Sequence, residues 1–268
     1  MSPYVEQLLA VIAAPDRASK SALLAALEPH VDGGWAVPGL PPCPGRPAHW
    51  QQATEAPRRR RTLAHAPTRL RFLLAIHHIE LSAVDLAVVA CLRAPELPLE
   101  FHRDFLAIAR DEARHAGLLE DLLASRGAAP GDEPIHHRLW DAALACRDLG
   151  EHLVAVPRVL EARGLDVSAE LLPRLLPIDP AAHAVLTVIY NDEIAHVAAG
   201  TKWHHAWCAR HGLDPARHFA QVALARFPGQ FPGPTPLDRV GRASAGFSAE
   251  ELTFLATGGA LGGAELGH

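Results

Sequence analysis

Cysteine is scarce in this chain of 268 residues: Cys43, Cys91, Cys146 and Cys208 lie far apart and no Cys-x-x-Cys occurs. That predicts buried free thiols in a reducing cytoplasm. A basic N-terminal stretch followed by an apolar run is missing, so no signal peptide is expected. No run of about 18 uncharged apolar residues appears, so no membrane span is expected either. Positive charge is also short. The formal charge of −5 gives no general affinity for nucleic acid. Sustained strand alternation is absent, and so are ferredoxin-type and flavin fingerprints. Redox chemistry on this chain would need an external electron donor.

The composition, 49% hydrophobic and 21% charged, is that of a soluble globular protein with a sizeable core. The pattern predicts an all-α fold in three parts. Residues 1–66 would form two short helices (4–13 and 18–29, with Asp16 or Ser19 as cap of the second) and a wrapping arm rich in Pro and Gly. Residues 67–212 would form a four-helix bundle. Residues 213–268 would add a helix and a tail packed on it. Within the bundle the long helices are expected near 67–93, 99–125, 137–163 (kinked at Pro157) and 180–211. A small helix is expected at 168–176. The last long helix has clear ends, Asp179-Pro180 at its start and His211-Gly212 at its stop. Beyond it, 215–226 and 248–256 read as helices.

Four glutamates stand out on those helices. Glu80 and Glu112 are 32 positions apart, as are Glu161 and Glu193, and the second pair lies 81 positions after the first. Glu112 and Glu193 each sit in a similar string, Asp111-Glu112-Ala113-Arg114-His115 and Asp192-Glu193-Ile194-Ala195-His196. Residues three apart share a helix face, so each Glu-x-x-His aims a carboxylate and an imidazole at one point. Four carboxylates and two imidazoles are the ligand set of a carboxylate-bridged dinuclear metal site inside a helical bundle. Glu80, Glu112, His115, Glu161, Glu193 and His196 are the expected ligands, with Glu112 and Glu193 bridging. Hard oxygen donors with imidazole favour two iron ions, or manganese, or a mixed pair. Buried carboxylates are costly unless paired or metal-bound, which supports this reading.

The remaining candidates have weaker patterns. Glu-x-x-His also occurs at Glu133/His136 and Glu265/His268, among Gly and Pro where no regular helix would aim the pair. Glu151 is an alternative to Glu161. Asp111 and Asp192 suit a role as acceptors for the ligand histidines' outer nitrogens, with Arg114 pairing to one of them. His77, one turn before Glu80, reads as a seventh ligand, a pocket base or a hydrogen-bonded core residue. Tyr190, one turn before Glu193, reads as a pocket tyrosine or as core. Arg58–Arg61 is the one basic cluster, which reads as a solvated loop, an intramolecular salt-bridge cluster, or a patch for phosphate or an acidic partner.

The strings HHIELSAVDLA, FHRDFLAIARDEARHAGLLEDLL, LEARGLDV and IYNDEIAHVAAGTKWHHAWC resemble the DUF455 family, from about Pro44 to near Phe247. The resemblance implies a ferritin-like, nonheme di-iron bundle related to a di-iron tRNA hydroxylase. The Asp-Glu-x-Arg-His string is also similar to that of bacterial multicomponent monooxygenases, which implies dioxygen as co-substrate. The second string departs from theirs, with Ala195 in place of Arg.

The expected function is a dioxygen-activating oxidase or hydroxylase acting on a small organic substrate. The competing expectations are a ferroxidase or iron-handling protein and a metal-stabilised module without activity. Ile76, Ile79, Leu118, Leu160 and Val197 are expected to line a water-poor cavity. No membrane association and no nucleic-acid partner are expected, a homodimer is compatible with the arm and tail, and the location is expected to be cytoplasmic.

Overall fold

The computed structural model describes residues 2–30, 34–53 and 63–259. Arg58–Arg61 and the Glu265/His268 pair lie outside the described residues. The described residues are all-helical, with one isolated parallel bridge between Gln52 and Ile135 and no strand. The chain divides into two compact units, Met1–Leu144 and Ala145–His268. The division falls between the two copies of the glutamate pattern, not at the ends of the predicted bundle.

In the first unit, α1 (Pro3–Ala13) buries Tyr4, Val5, Leu8, Val11 and Ile12 along one stripe. α2 (Arg17–Ala26) starts where Asp16 accepts the Ser19 N–H at 2.8 Å, so Asp16 is the cap. α3 (Ala66–Leu92) is buried along most of its length from Phe72 onward, chiefly through apolar residues, and packs against α1, α4 and α5. By length and composition it could cross a membrane, but its most apolar stretch is 83% buried, as befits a core helix. α4 (Leu99–Ala124) returns along α3, and α5 (Arg138–Leu144) packs on α3. His102 locks this hairpin: its Nε2 donates to the Ala94 carbonyl at 3.1 Å, and its Nδ1 accepts from the Tyr4 hydroxyl at 3.2 Å.

A buried charge cluster ties the N-terminal helices to α3. Lys20 Nζ donates to the Val11 and Ile12 carbonyls (2.8 and 3.2 Å) and to Asp85 Oδ1 at 2.6 Å. It thereby satisfies the open carbonyl end of α1. Arg46, on the Pro-rich arm, donates to Asp85 Oδ2 at 2.8 Å and to Ser82 Oγ at 3.2 Å. Burial pulls the Lys20 ammonium below its ordinary range, against the opposing pull of Asp85.

The second unit corrects the expectation of a helix over 137–163. The chain leaves α5 at Leu144 and starts again at α6 (Leu149–Leu153), where Asp148 accepts the Glu151 N–H at 2.9 Å. α6 runs on through a π-helical stretch, Val154–Glu161, into α7 (Ala162–Leu175). The separate helix expected at 168–176 is the end of α7. Pro157 accounts for the π stretch: it has no N–H and its ring crowds the carbonyl four residues back, so the local ladder widens. α8 (Pro180–His211) begins with Asp179 capping Ala182 at 3.1 Å and ends at Gly212, φ 66°. Gly200 lets α8 meet the π stretch, because a Cβ there would lie 2.4 Å from Pro157 Cβ.

α9 (Pro215–Arg226), α10 (Arg239–Ser244) and α11 (Ala249–Thr257) complete this unit. Its core joins Val154, Val159, Leu165, Val197, Phe219 and Phe254. Arg158 is fully buried within it. Its guanidinium donates to Glu251 at 2.8 Å and sits over the rings of Phe219 and Phe247, at 4.6 and 4.7 Å. Arg242 forks onto Asp166 at 2.9 and 2.7 Å, fixing α10 to α7. α10 itself escaped the sequence reading, hidden in a tail rich in Pro and Gly.

Candidate metal centre

In the first unit the structure brings Glu80, Glu112 and His115 together. All three are buried: Glu80 retains 7% of its exposure, Glu112 1% and His115 none. His115 Nδ1 lies 3.3 Å from Glu80 Oε2 and 3.5 Å from Glu112 Oε2. The three donor atoms lie within 4.8 Å of one another, a spacing that can hold a metal ion. The local reason is simple. Glu112 and His115 are three apart on α4, and the antiparallel α3 sets Glu80 beside them. Burial disfavours a charged His115 ring, but the two carboxylates outweigh it and raise its pKa to about 10. A proton on that ring therefore occupies the place where a cation is favoured. Two oxygen donors and one nitrogen, with no thiolate, fit a hard or borderline ion such as iron or manganese.

In the second unit His196 Nδ1 lies 3.3 Å from Glu193 Oε2, and both are buried. Glu161, the last residue of the π stretch, is only half-buried. Among the described residues it joins no group of three donors within 4.8 Å of one another. The extra residue of a π turn rotates the downstream residues by about 100° relative to an unbroken α-helix. The second unit thus presents its Glu-x-x-His pair in the same manner as the first. Glu151 is not a substitute. It accepts from the Arg147 N–H at 2.8 Å, from Arg147 Nε at 2.6 Å and from Arg226.

Several other expected site residues have different tasks. His77 is buried, but its Nε2 faces Glu120 Oε1 at 3.2 Å, and Glu120 also accepts from Arg17 at 2.5 Å. It is the hydrogen-bonded core residue rather than a seventh ligand. Tyr190 donates to Asp238 Oδ2 at 2.7 Å and anchors the start of α10. Burial and Asp238 push its phenol up to about 12. Asp111 pairs with Arg114 at 3.1 Å on the half-exposed side of α4. The outer nitrogen of His115, Nε2, has Arg114 Nη2 at 3.3 Å. Arg114 lies beside both residues, as the pairing expected of it implied. Asp192 is half-buried on α8. Of the expected cavity lining, Ile79 is 40% exposed and faces away from a dry interior, whereas Val197 is fully buried in the second core. Glu133 pairs with Arg71 at 2.8 Å, as its loop position implied.

One cluster was missed. His204, Cys208 and His218 also lie within 4.8 Å of one another. The available signal was the i, i+4 spacing of His204 and Cys208. His218, across the turn at Gly212, gave none.

The fold and the buried donors define an all-helical protein with a carboxylate–histidine group of metal-binding geometry. The chain belongs to the DUF455 family, described as a protein of unknown function, which it matches over residues 11–253. It is 37% identical over 192 residues to an uncharacterized protein of Haemophilus influenzae (strain Rd). That match covers 68% of this chain and 66% of the relative, so the chain spans just under two thirds of the relative's length. No solved structure matches the chain.

Proposed function

We propose that this chain is a ferritin-like, nonheme di-iron oxidoreductase of the cytoplasm that uses dioxygen to oxidise a small organic substrate. In this reading Glu80, Glu112 and His115 supply one half of the ligands, and Glu161, Glu193 and His196 supply the other. The observation that carries the reading is the convergence of two buried carboxylates on one buried imidazole in the first unit. The equal 32-residue spacing in the second half of the sequence supports a matching half-site there. Manganese fits the same donors.

When bound, such a metal pair supplies the electrons and open coordination positions for dioxygen chemistry. The chain's own residues do the rest. Glu80 and Glu112 provide negative charge that holds cations in a place where water is excluded. His115 would hold one ion through Nδ1, with its remaining proton on Nε2. Binding at Nδ1 requires the His115 proton to leave, so metal loading competes with protonation. Burial of Glu80, Glu112 and His115 keeps bulk water from the donors.

The test is to load the protein with ferrous iron without air, then admit dioxygen and follow its consumption and the optical spectrum. A stoichiometric reaction whose rate depends on added organic substrates supports the proposal. Many-fold turnover of excess ferrous iron into a ferric mineral would replace it with a ferroxidase. Iron that never reacts with dioxygen would leave a metal-stabilised module.

A further inference from the structure

His204 and Cys208, four apart on α8, share a face, and His218 reaches them from α9. His204 Nε2 lies 2.9 Å from His218 Nδ1 and 3.4 Å from Cys208 Sγ. His204 and Cys208 are fully buried, whereas His218 is half-buried and leaves a way in from solvent. The His218 ring is stacked against His204 (centroids 5.2 Å apart) and lies 5.1 Å from Trp207. None of these residues belongs to the repeated glutamate pattern.

We propose that His204, Cys208 and His218 form a second metal site, built for a thiophilic dication of the zinc type. Tetrahedral zinc, with bonds of about 2.0–2.1 Å to nitrogen and about 2.3 Å to sulfur, sets N···N near ~3.3 Å and N···S near ~3.6 Å. The observed separations need only open by a few tenths of an ångström. Two imidazoles and a thiolate select a softer ion than the carboxylate group does, and three protein ligands leave a fourth position open.

Arg158 sets the protonation of this site. Its Nη1 lies 2.8 Å from His204 Nδ1, and a guanidinium can only donate. His204 therefore accepts at Nδ1 and carries its proton on Nε2, directed at His218. Cys208 would bind the metal as its thiolate. A dication takes the place of both protons. Metal–nitrogen bonds form to His204 and His218 and a metal–sulfur bond forms to Cys208. The N–H and S–H bonds break, and two protons go to solvent. Dication, imidazolate and thiolate then sum to zero charge, and Arg158 is already balanced by Glu251 at 2.8 Å. That neutrality is what a buried site requires.

Cobalt(II), titrated into the full chain with cysteines reduced, is a suitable probe. The expected result is a thiolate-to-cobalt charge-transfer band at one ion per chain, with two protons released. The carboxylate group holds no thiolate and cannot produce this band. It should persist in Cys43→Ser and vanish in Cys208→Ser. His218→Asn alters a half-buried residue and should fold normally by circular dichroism, yet bind at least tenfold more weakly. No thiolate band at saturating cobalt, a band that survives Cys208→Ser, or unchanged affinity in folded His218→Asn would overturn the proposal. The cluster would then be a hydrogen-bonded stack.

Discussion

At the residue scale, Glu112 and Glu80 touch the same imidazole but have different expected weights. Glu112 is the more deeply buried and stands in the Glu-x-x-His string, where the sequence reading places a bridging carboxylate. Glu112→Ala should remove both ions, whereas Glu80→Ala should mainly weaken one. Iron and manganese content per chain after iron-replete expression checks this. Equal retention in both variants would contradict the bridging assignment. His102 supports a prediction independent of metal. Burial lowers its pKa to about 4, while the hydrogen bond to the Ala94 carbonyl pulls weakly the other way. The unfolded chain takes up a proton near pH 6.5 and the folded chain only near 4. Stability should therefore fall as pH drops through that window and level off below it, by as much as about 3 kcal/mol. Denaturant unfolding at a series of pH values should show a shallower fall for His102→Gln than for the natural chain. Identical slopes would count against a buried neutral His102.

At the element scale, helix ends with chemical markers were legible. Asp179-Pro180 and Gly212 bounded α8, and Asp16 capped α2, because capping chemistry is local in sequence. The break between α5 and α6 was not legible. It contains neither Gly nor Pro, and its one marker was Asp148 three residues before Glu151. The π stretch was hidden for a different reason. It depends on Pro157 meeting Gly200, which lies far along the chain on α8. The kink expected at Pro157 became a widened ladder, and Glu161 is its last residue. Gly200→Ala should therefore clash with Pro157 and destabilise the second unit by about 1–3 kcal/mol. Thermal unfolding should show this, and metal content should fall with it if the π stretch positions Glu161. A variant as stable as the natural chain, with unchanged metal, would mean the contact yields freely.

At the scale of the whole molecule, the all-α class and the first donor triad could be read from the sequence, because both rest on helical periodicity and a three-residue spacing. The roles of His77 and Tyr190 could not. Their partners, Glu120 and Asp238, are 43 and 48 positions away and carry no pattern that links them. In the second half, the three-residue spacing that made Glu193 and His196 legible is the spacing that brings them to 3.3 Å. The central claim, that the doubled glutamate pattern holds a dinuclear centre, is most directly tested by Mössbauer spectroscopy of the iron-loaded, oxidised full chain. Its companion measurement is elemental analysis of the same sample. The expected result is close to two irons per chain, magnetically coupled through a shared carboxylate, with the coupled signal lost in Glu112→Ala. A single uncoupled ferric ion, or no bound iron under iron-replete conditions, would contradict it.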